Sequence, residues 1–185
     1  MPAVVQQVLL AEAAAAGGTW QTTWTNSLTS DTSDFGSGTN IRQYFDASVV
    51  TTSGSKVRIT FSAGSASNAT LTSVYCGHVG GSAPNFDGTQ IRVTFNTGSN
   101  SVTIPGGTSK VSDDIIYSLD QTKHFMAAMF LNGGAGTGVL RQNFSTPTST
   151  RFTKATTTDE SAMTSPAGYG SGAVDVCVSK IEVFV

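Results

Sequence analysis

Residues 56–61 read Lys-Val-Arg-Ile-Thr-Phe, and the alternation of Val57, Ile59 and Phe61 with Lys56, Arg58 and Thr60 is the strongest constraint on the fold. A period of two puts the apolar side chains on one face of an extended strand and the polar ones on the other, as in an antiparallel strand with one face in the core and one in water. One such strand cannot bury its apolar face alone, so partners are required. Further strands are expected at 41–50, 70–79, 90–96, 101–104, 115–118, 124–131 and 174–185, with 56–63 as the full extent of the first. Pro105-Gly106-Gly107 closes one turn and Gly133-Gly134-Ala135-Gly136 another.

This spacing predicts an all-β fold, an antiparallel jelly-roll β-sandwich over residues 19–185. No segment repeats with a period of about 20 to 50 residues, so a solenoid or propeller is not expected. A length of 185 residues suits one domain with an appendage, and 20 glycines with 12% charged residues fit a turn-rich β protein. The net charge of −2 gives no electrostatic reason to expect nucleic acid as a partner. No apolar run approaches the roughly 18 residues of a membrane span.

The appendage is residues 1–18. Val4, Val5, Val8 and Leu9 recur at helical spacing, Ala13 to Ala16 favour helix, and Gly17-Gly18 would end it, which predicts a short N-terminal helical anchor over 3–16. A helix this short is marginal in water, so Val4, Val5, Val8, Leu9 and Leu10 are expected to dock on a partner surface. No basic stretch precedes this segment, and Gln6, Gln7 and Glu12 interrupt it, so it is expected to be retained and not cleaved as an export signal.

Past the glycines, residues 20–24 alternate, which would place Trp20, Thr22 and Trp24 on one strand face. Residues 26–40 read as a loop. Residues 133–172 read as a long, weakly patterned segment interrupted by short strands at 139–143 and 151–153. In the last strand, Lys180 and Glu182 fall on one face with Val176, Val178 and Phe184, a mixture that suggests a sheet edge or a subunit contact.

Chemistry-bearing residues are few. Cys76 and Cys177 lie in apolar strand patterns without metal-ligand spacing, as buried thiols or as the two halves of a disulfide. His78 stands two residues from Cys76, but two ligands do not define a zinc site. Asp113, Asp114 and Asp120 lack a calcium-loop pattern, and Ser112 and Asp113 are expected to bond turn amides. Trp20, Trp24, Tyr44, Phe86, Phe144, Phe152 and Tyr169 are core residues or a sugar-stacking platform. Asn85, Phe86 and Asp87 combine a ring with polar groups suited to a glycan. No cofactor-binding pattern is present.

Five segments fall in a recognisable order: Ile41-Arg42-Gln43, Gly54-Ser55-Lys56-Val57-Arg58-Ile59-Thr60-Phe61, Tyr75-Cys76-Gly77-His78, Val102-Thr103-Ile104-Pro105-Gly106-Gly107 and Val111-Ser112-Asp113-Asp114. In this the chain resembles the non-catalytic β-sandwich domain that precedes the hydrolase domain in some SGNH/GDSL esterases. The same domain occurs free of any enzyme in proteins of tailed phages and prophages. The resemblance implies the jelly-roll fold but not the activity, because the Gly-Asp-Ser nucleophile motif and the Asp-x-x-His pair of those esterases are both missing from the sequence.

The expectation is therefore a non-enzymatic structural virion protein of a tailed bacteriophage, assembled in the host cytoplasm. A head decoration or spike protein fits best, joined to other virion proteins through its arm and self-associating as a homo-oligomer. The alternative is a carbohydrate-binding module or the receptor-binding tip of a tail fibre or spike, recognising cell-surface glycans.

Overall fold

The computed structural model describes residues 17–32, 35, 38–132 and 139–185, and among them every regular element is a strand. In chain order these are β1 (Trp20–Thr25), β2 (Ser30–Asp31), β3 (Thr39–Phe45), β4 (Lys56–Ser62), β5 (Ala69–His78), β6 (Ile91–Arg92) and β7 (Val102–Ile104). There follow β8 (Ser109–Val111), β9 (Phe125–Leu131), β10 (Arg141–Asn143), β11 (Thr150–Ala155), β12 (Gly170–Ala173), β13 (Asp175–Val176) and β14 (Val178–Phe184). The anchor expected over 3–16, with Val4, Val5, Val8, Leu9 and Leu10, lies outside the described residues.

All strand pairs are antiparallel. A four-stranded sheet runs β1-β14-β4-β8, and a seven-stranded sheet runs β12-β11-β3-β9-β5-β6, with β7 also paired to β5. A small sheet, β13-β10-β2, completes the set. One apolar cluster joins the two large sheets: Val57, Ile59 and Phe61 of β4 and Ile181 and Val183 of β14 share it with Ile41, Phe45, Leu71, Val74 and Met129 of the seven-stranded sheet. The fold is thus all-β and β-sandwich-like, and the alternation of residues 56–61 determines which side of β4 faces inward. Each of these large side chains contributes roughly 1.5–3 kcal/mol on full burial. Among the described residues no helix is long and apolar enough to cross a membrane.

β9 lies between β3 and β5, and all seven of its residues are buried. Phe125, Ala127, Met129 and Leu131 enter the main core, while Met126 and Ala128 face a second cluster with Phe86. Both faces of this strand are therefore covered, which accounts for its near-continuous apolar sequence.

Several boundaries differ from the sequence reading. β3 stops at Phe45 because Asp46 turns the chain, its carbonyl accepting from Val49 N at 3.0 Å and its carboxylate from Ser48 N at 2.9 Å. Only Ile91–Arg92 of 90–96 forms a ladder, since Asn96 and Thr97 take φ of 51° and 65° and reverse the chain. Residues 115–118 form no regular strand. They run beside β4 through isolated bridges, with Ile115, Tyr117 and Leu119 buried and Ile116 79% exposed, so the alternation survives without the ladder. The loop expected over 26–40 contains β2 and the start of β3, and β8 is an added strand.

Two irregularities change which side chains point inward. A register shift between Thr22 and Trp24 in β1 sends Trp24 into the core, 4.7 Å from Phe45, and leaves Trp20 on the outer side; the two tryptophans do not share a face. The terminal strand breaks at Cys177, whose φ of 65° divides β13 from β14. Val176 is buried on β13, paired with Gln142, and a shift between Val178 and Lys180 keeps Val178 inward while Lys180, Glu182 and Phe184 face outward. β14 is also no edge, because β1 and β4 pair with its two sides.

Candidate functional site

β5 ends at His78, and the residue before it must be glycine for the site to close. A Cβ on Gly77 would lie 2.8 Å from the backbone Cα of Gln90. The chain after His78 doubles back, with Asp87 N donating to His78 O at 3.0 Å. From the other side, the alternating segment 115–119 points Tyr117 inward, so that its ring lies 5.1 Å from the His78 ring.

The hydrogen bonds between these groups have one consistent direction. Asp120 N–H donates to His78 Nε2 at 3.1 Å, so that nitrogen keeps its lone pair and the proton resides on Nδ1. Nδ1–H donates to the Tyr117 hydroxyl oxygen at 2.8 Å, which also accepts from His78 N–H at 2.7 Å. Tyr117 then donates to Thr89 Oγ1 at 3.1 Å, and Thr89 donates to Asp87 Oδ1 at 2.6 Å. Burial lowers the His78 pKa and pushes Tyr117 up to about 12. Asp87 is raised by burial but lowered more by its bonds from Thr89, and remains an anion.

This chain of bonds floors a cleft of about 510 Å³. Asp87, Asp120 and Lys123 supply charge at its sides, Ser118 a hydroxyl, and Ile116 an exposed apolar surface. Both ring nitrogens of His78 are engaged, so it holds the cleft in shape and has no free position from which to act as a base. His124 Nδ1 accepts from Ala47 N at 3.0 Å. Among the described residues neither histidine is hydrogen-bonded to a serine or cysteine. The arrangement suits reversible binding of a polar ligand.

Of the glycan candidates, Asp87 lines this cleft, while Asn85 is half-buried and its backbone closes a turn with Ser82 and Gly80. Phe86 is only 2% exposed, its ring enclosed by Met126, Ala128 and the Arg42 guanidinium, so it offers no stacking face to a ligand. The other aromatics are dispersed: Trp24 is core, Trp20 lies on the four-stranded sheet, and Phe144 stands 55% exposed elsewhere. Thr89, Ile116, Tyr117 and Lys123 escaped sequence reasoning, and the alternating burial of Ile115, Tyr117 and Leu119 is the signal that could have found Tyr117.

Asp113 bonds turn amides as expected, whereas Ser112 bonds an amide inside β4 and not a turn. Ser112 Oγ accepts from Ile59 N at 3.0 Å, and the Asp113 carboxylate from Thr97 N at 2.9 Å and Gly98 N at 2.7 Å. Cys76 and Cys177 are free, fully buried thiols. Among the described residues no group of three or more His, Cys, Asp or Glu side chains is placed to hold a metal ion. No protein-family model matches the chain, and no curated protein matches it.

Proposed function

We propose that this chain is a non-enzymatic virion protein of a tailed bacteriophage, a head decoration or spike domain of jelly-roll type held on the particle by residues 1–18. The observation that carries this reading is the pairing of Thr19 with Val185, N to O at 2.7 Å and O to N at 3.0 Å. The apolar segment with Val4, Val5, Val8, Leu9 and Leu10 therefore joins the domain at one corner of the four-stranded sheet, where the last strand also ends. A domain tethered at one corner leaves most of its surface free for display. The locked His78 and the missing esterase motifs support a role without catalysis.

Self-association belongs to the same proposal. β12, Gly170–Ala173, is an edge of the seven-stranded sheet, and its exposed small residues leave the backbone accessible to a second copy. The test uses particles grown without this gene, to which the full chain or a version lacking residues 1–16 is added. The full chain should sediment with the particles and the truncated chain should stay behind, folded. Equal occupancy by both, or failure of the full chain to bind, overturns the reading.

A second reading, a carbohydrate-binding or receptor-binding tip, is favoured by the His78 cleft, where Asp87 and Asp120 could accept from sugar hydroxyls beside Ile116. A glycan array reads it out, with Asp87→Asn expected to abolish the signal of a sugar held in this cleft.

A further inference from the structure

A second concave surface lies on the outward side of the four-stranded sheet, away from the His78 cleft. Register places Thr25, Lys180, Thr60 and Val111 in one row across β1, β14, β4 and β8, with Ser62 opposite Ser109 in the next. Around these rows lies a groove of about 460 Å³. Its floor is a hydroxyl cluster: Ser62 Oγ lies 2.8 Å from Ser109 Oγ and 3.0 Å from Ser179 Oγ. Thr60 Oγ1, also in the groove, is buried without a hydrogen-bond partner.

The charged side chains that line this groove are Lys180 and Arg141, and Arg141 is paired with Asp31 at 3.3 Å. On the same sheet face Glu182 alone serves two cations, Lys180 at 3.2 Å and Arg58 at 3.8 Å, and Lys56 stands over the Phe184 ring. In a protein of net charge −2, the outward side of the four-stranded sheet thus carries, among the described residues, Lys56, Arg58 and Lys180 against the single acid Glu182. Four strands span about 14 Å, enough for several sugar units of an extended chain. The groove lies where β1 ends and β14 begins, at the far end of these strands from the Thr19–Val185 corner.

We propose that this groove binds an acidic polysaccharide. Lys180 and Arg141 attract the carboxylate or sulfate groups, while Ser62, Ser109 and Ser179 exchange hydrogen bonds with ring hydroxyls. A hydroxyl lining alone would suit any sugar, and cations alone any anion; their combination along a trench selects a chain carrying both. The assignment is independent of the virion reading and of the cleft.

The experiment is calorimetric titration of the full chain with an oligogalacturonate, with a neutral malto-oligosaccharide of equal length, and with sodium sulfate at matched ionic strength. Saturable binding of the oligogalacturonate is expected, weakened by added salt, with much weaker binding of the other two. Lys180→Gln should reduce the affinity about tenfold, the loss of one charge-assisted contact. Ser109→Ala, on an exposed edge strand, should weaken binding without disturbing the fold, and Asp87→Asn should leave it unchanged. Absence of saturable binding overturns the proposal, as does binding indifferent to both Lys180→Gln and Ser109→Ala. Loss of binding in Asp87→Asn assigns the ligand to the cleft instead, and equal affinity for sulfate reduces the groove to a simple anion site.

Discussion

The Arg42 guanidinium carbon sits 4.8 Å from the centre of the Phe86 ring, and through this stacking a strand residue holds down a loop that contributes to the candidate cleft. Arg42 is fully buried, donating from Nη1 to Pro84 O at 2.7 Å and from Nη2 to Glu160 O at 2.8 Å and Met163 O at 2.5 Å. Ala128, its cross-strand neighbour, leaves room for the guanidinium. One side chain thereby fastens two loops to the outer face of the seven-stranded sheet.

Replacing Arg42 with Met keeps the bulk and removes every one of these bonds, leaving carbonyls without their donor. We expect a loss of about 3 kcal/mol or more in denaturant unfolding, with faster amide exchange at 84–87 and 160–164. Wild-type exchange at both loops would show that they hold themselves.

Acid should act first through His78. Its folded pKa lies below the ordinary 6.5 because of burial, so between these values the unfolded chain binds the proton that the folded chain refuses. Stability is therefore intact above pH 6.5 and falls as pH drops below it. The hydrogen-bonded aspartates Asp46, Asp113 and Asp120, with pKa values lowered from 3.8, add their own loss only below about that pH. In His78→Gln the decline between pH 6.5 and pH 4 should disappear while the later one remains, as read by the melting temperature across that range.

The thiols should be silent in the native protein. Burial raises the Cys76 pKa far above its ordinary value and pushes Cys177 up to about 12, and neither side chain reaches solvent. Negligible maleimide labelling is expected before denaturation and two labels per chain after it. Rapid native labelling of Cys177 would mean that the β13–β14 junction opens.

The 96–98 turn should depend on Asp113. Its carboxylate receives two backbone amides from residues held at positive φ, Thr97 at 65° and Gly98 at 110°. Asp113→Ala should cost about 1–3 kcal/mol. Thr97→Gly should instead gain roughly 1 kcal/mol, because a β-branched residue is strained in that conformation and glycine is not. Thermal denaturation of both variants distinguishes these signs.

The sequence by itself determined the class of the fold and much of its strand content, because a two-residue period is a local property that any buried face imposes on its own strand. β4, β5 and β9 were legible in this way, and so was the turn-amide role of Asp113, whereas the Ser112 bond to Ile59 of β4 was not. What stayed hidden depended on contacts between distant residues. The register shifts in β1 and β14, which set Trp24 and Val178 inward, arise from pairing with other strands and leave no local mark. Phe86 looked like a ligand platform because its loop is polar, and only the tertiary structure brings Arg42 and Met126 over its ring. The His78 cleft and the cationic groove are likewise tertiary products: each assembles side chains from separated segments, whose proximity is decided by sheet order and not by any spacing along the chain.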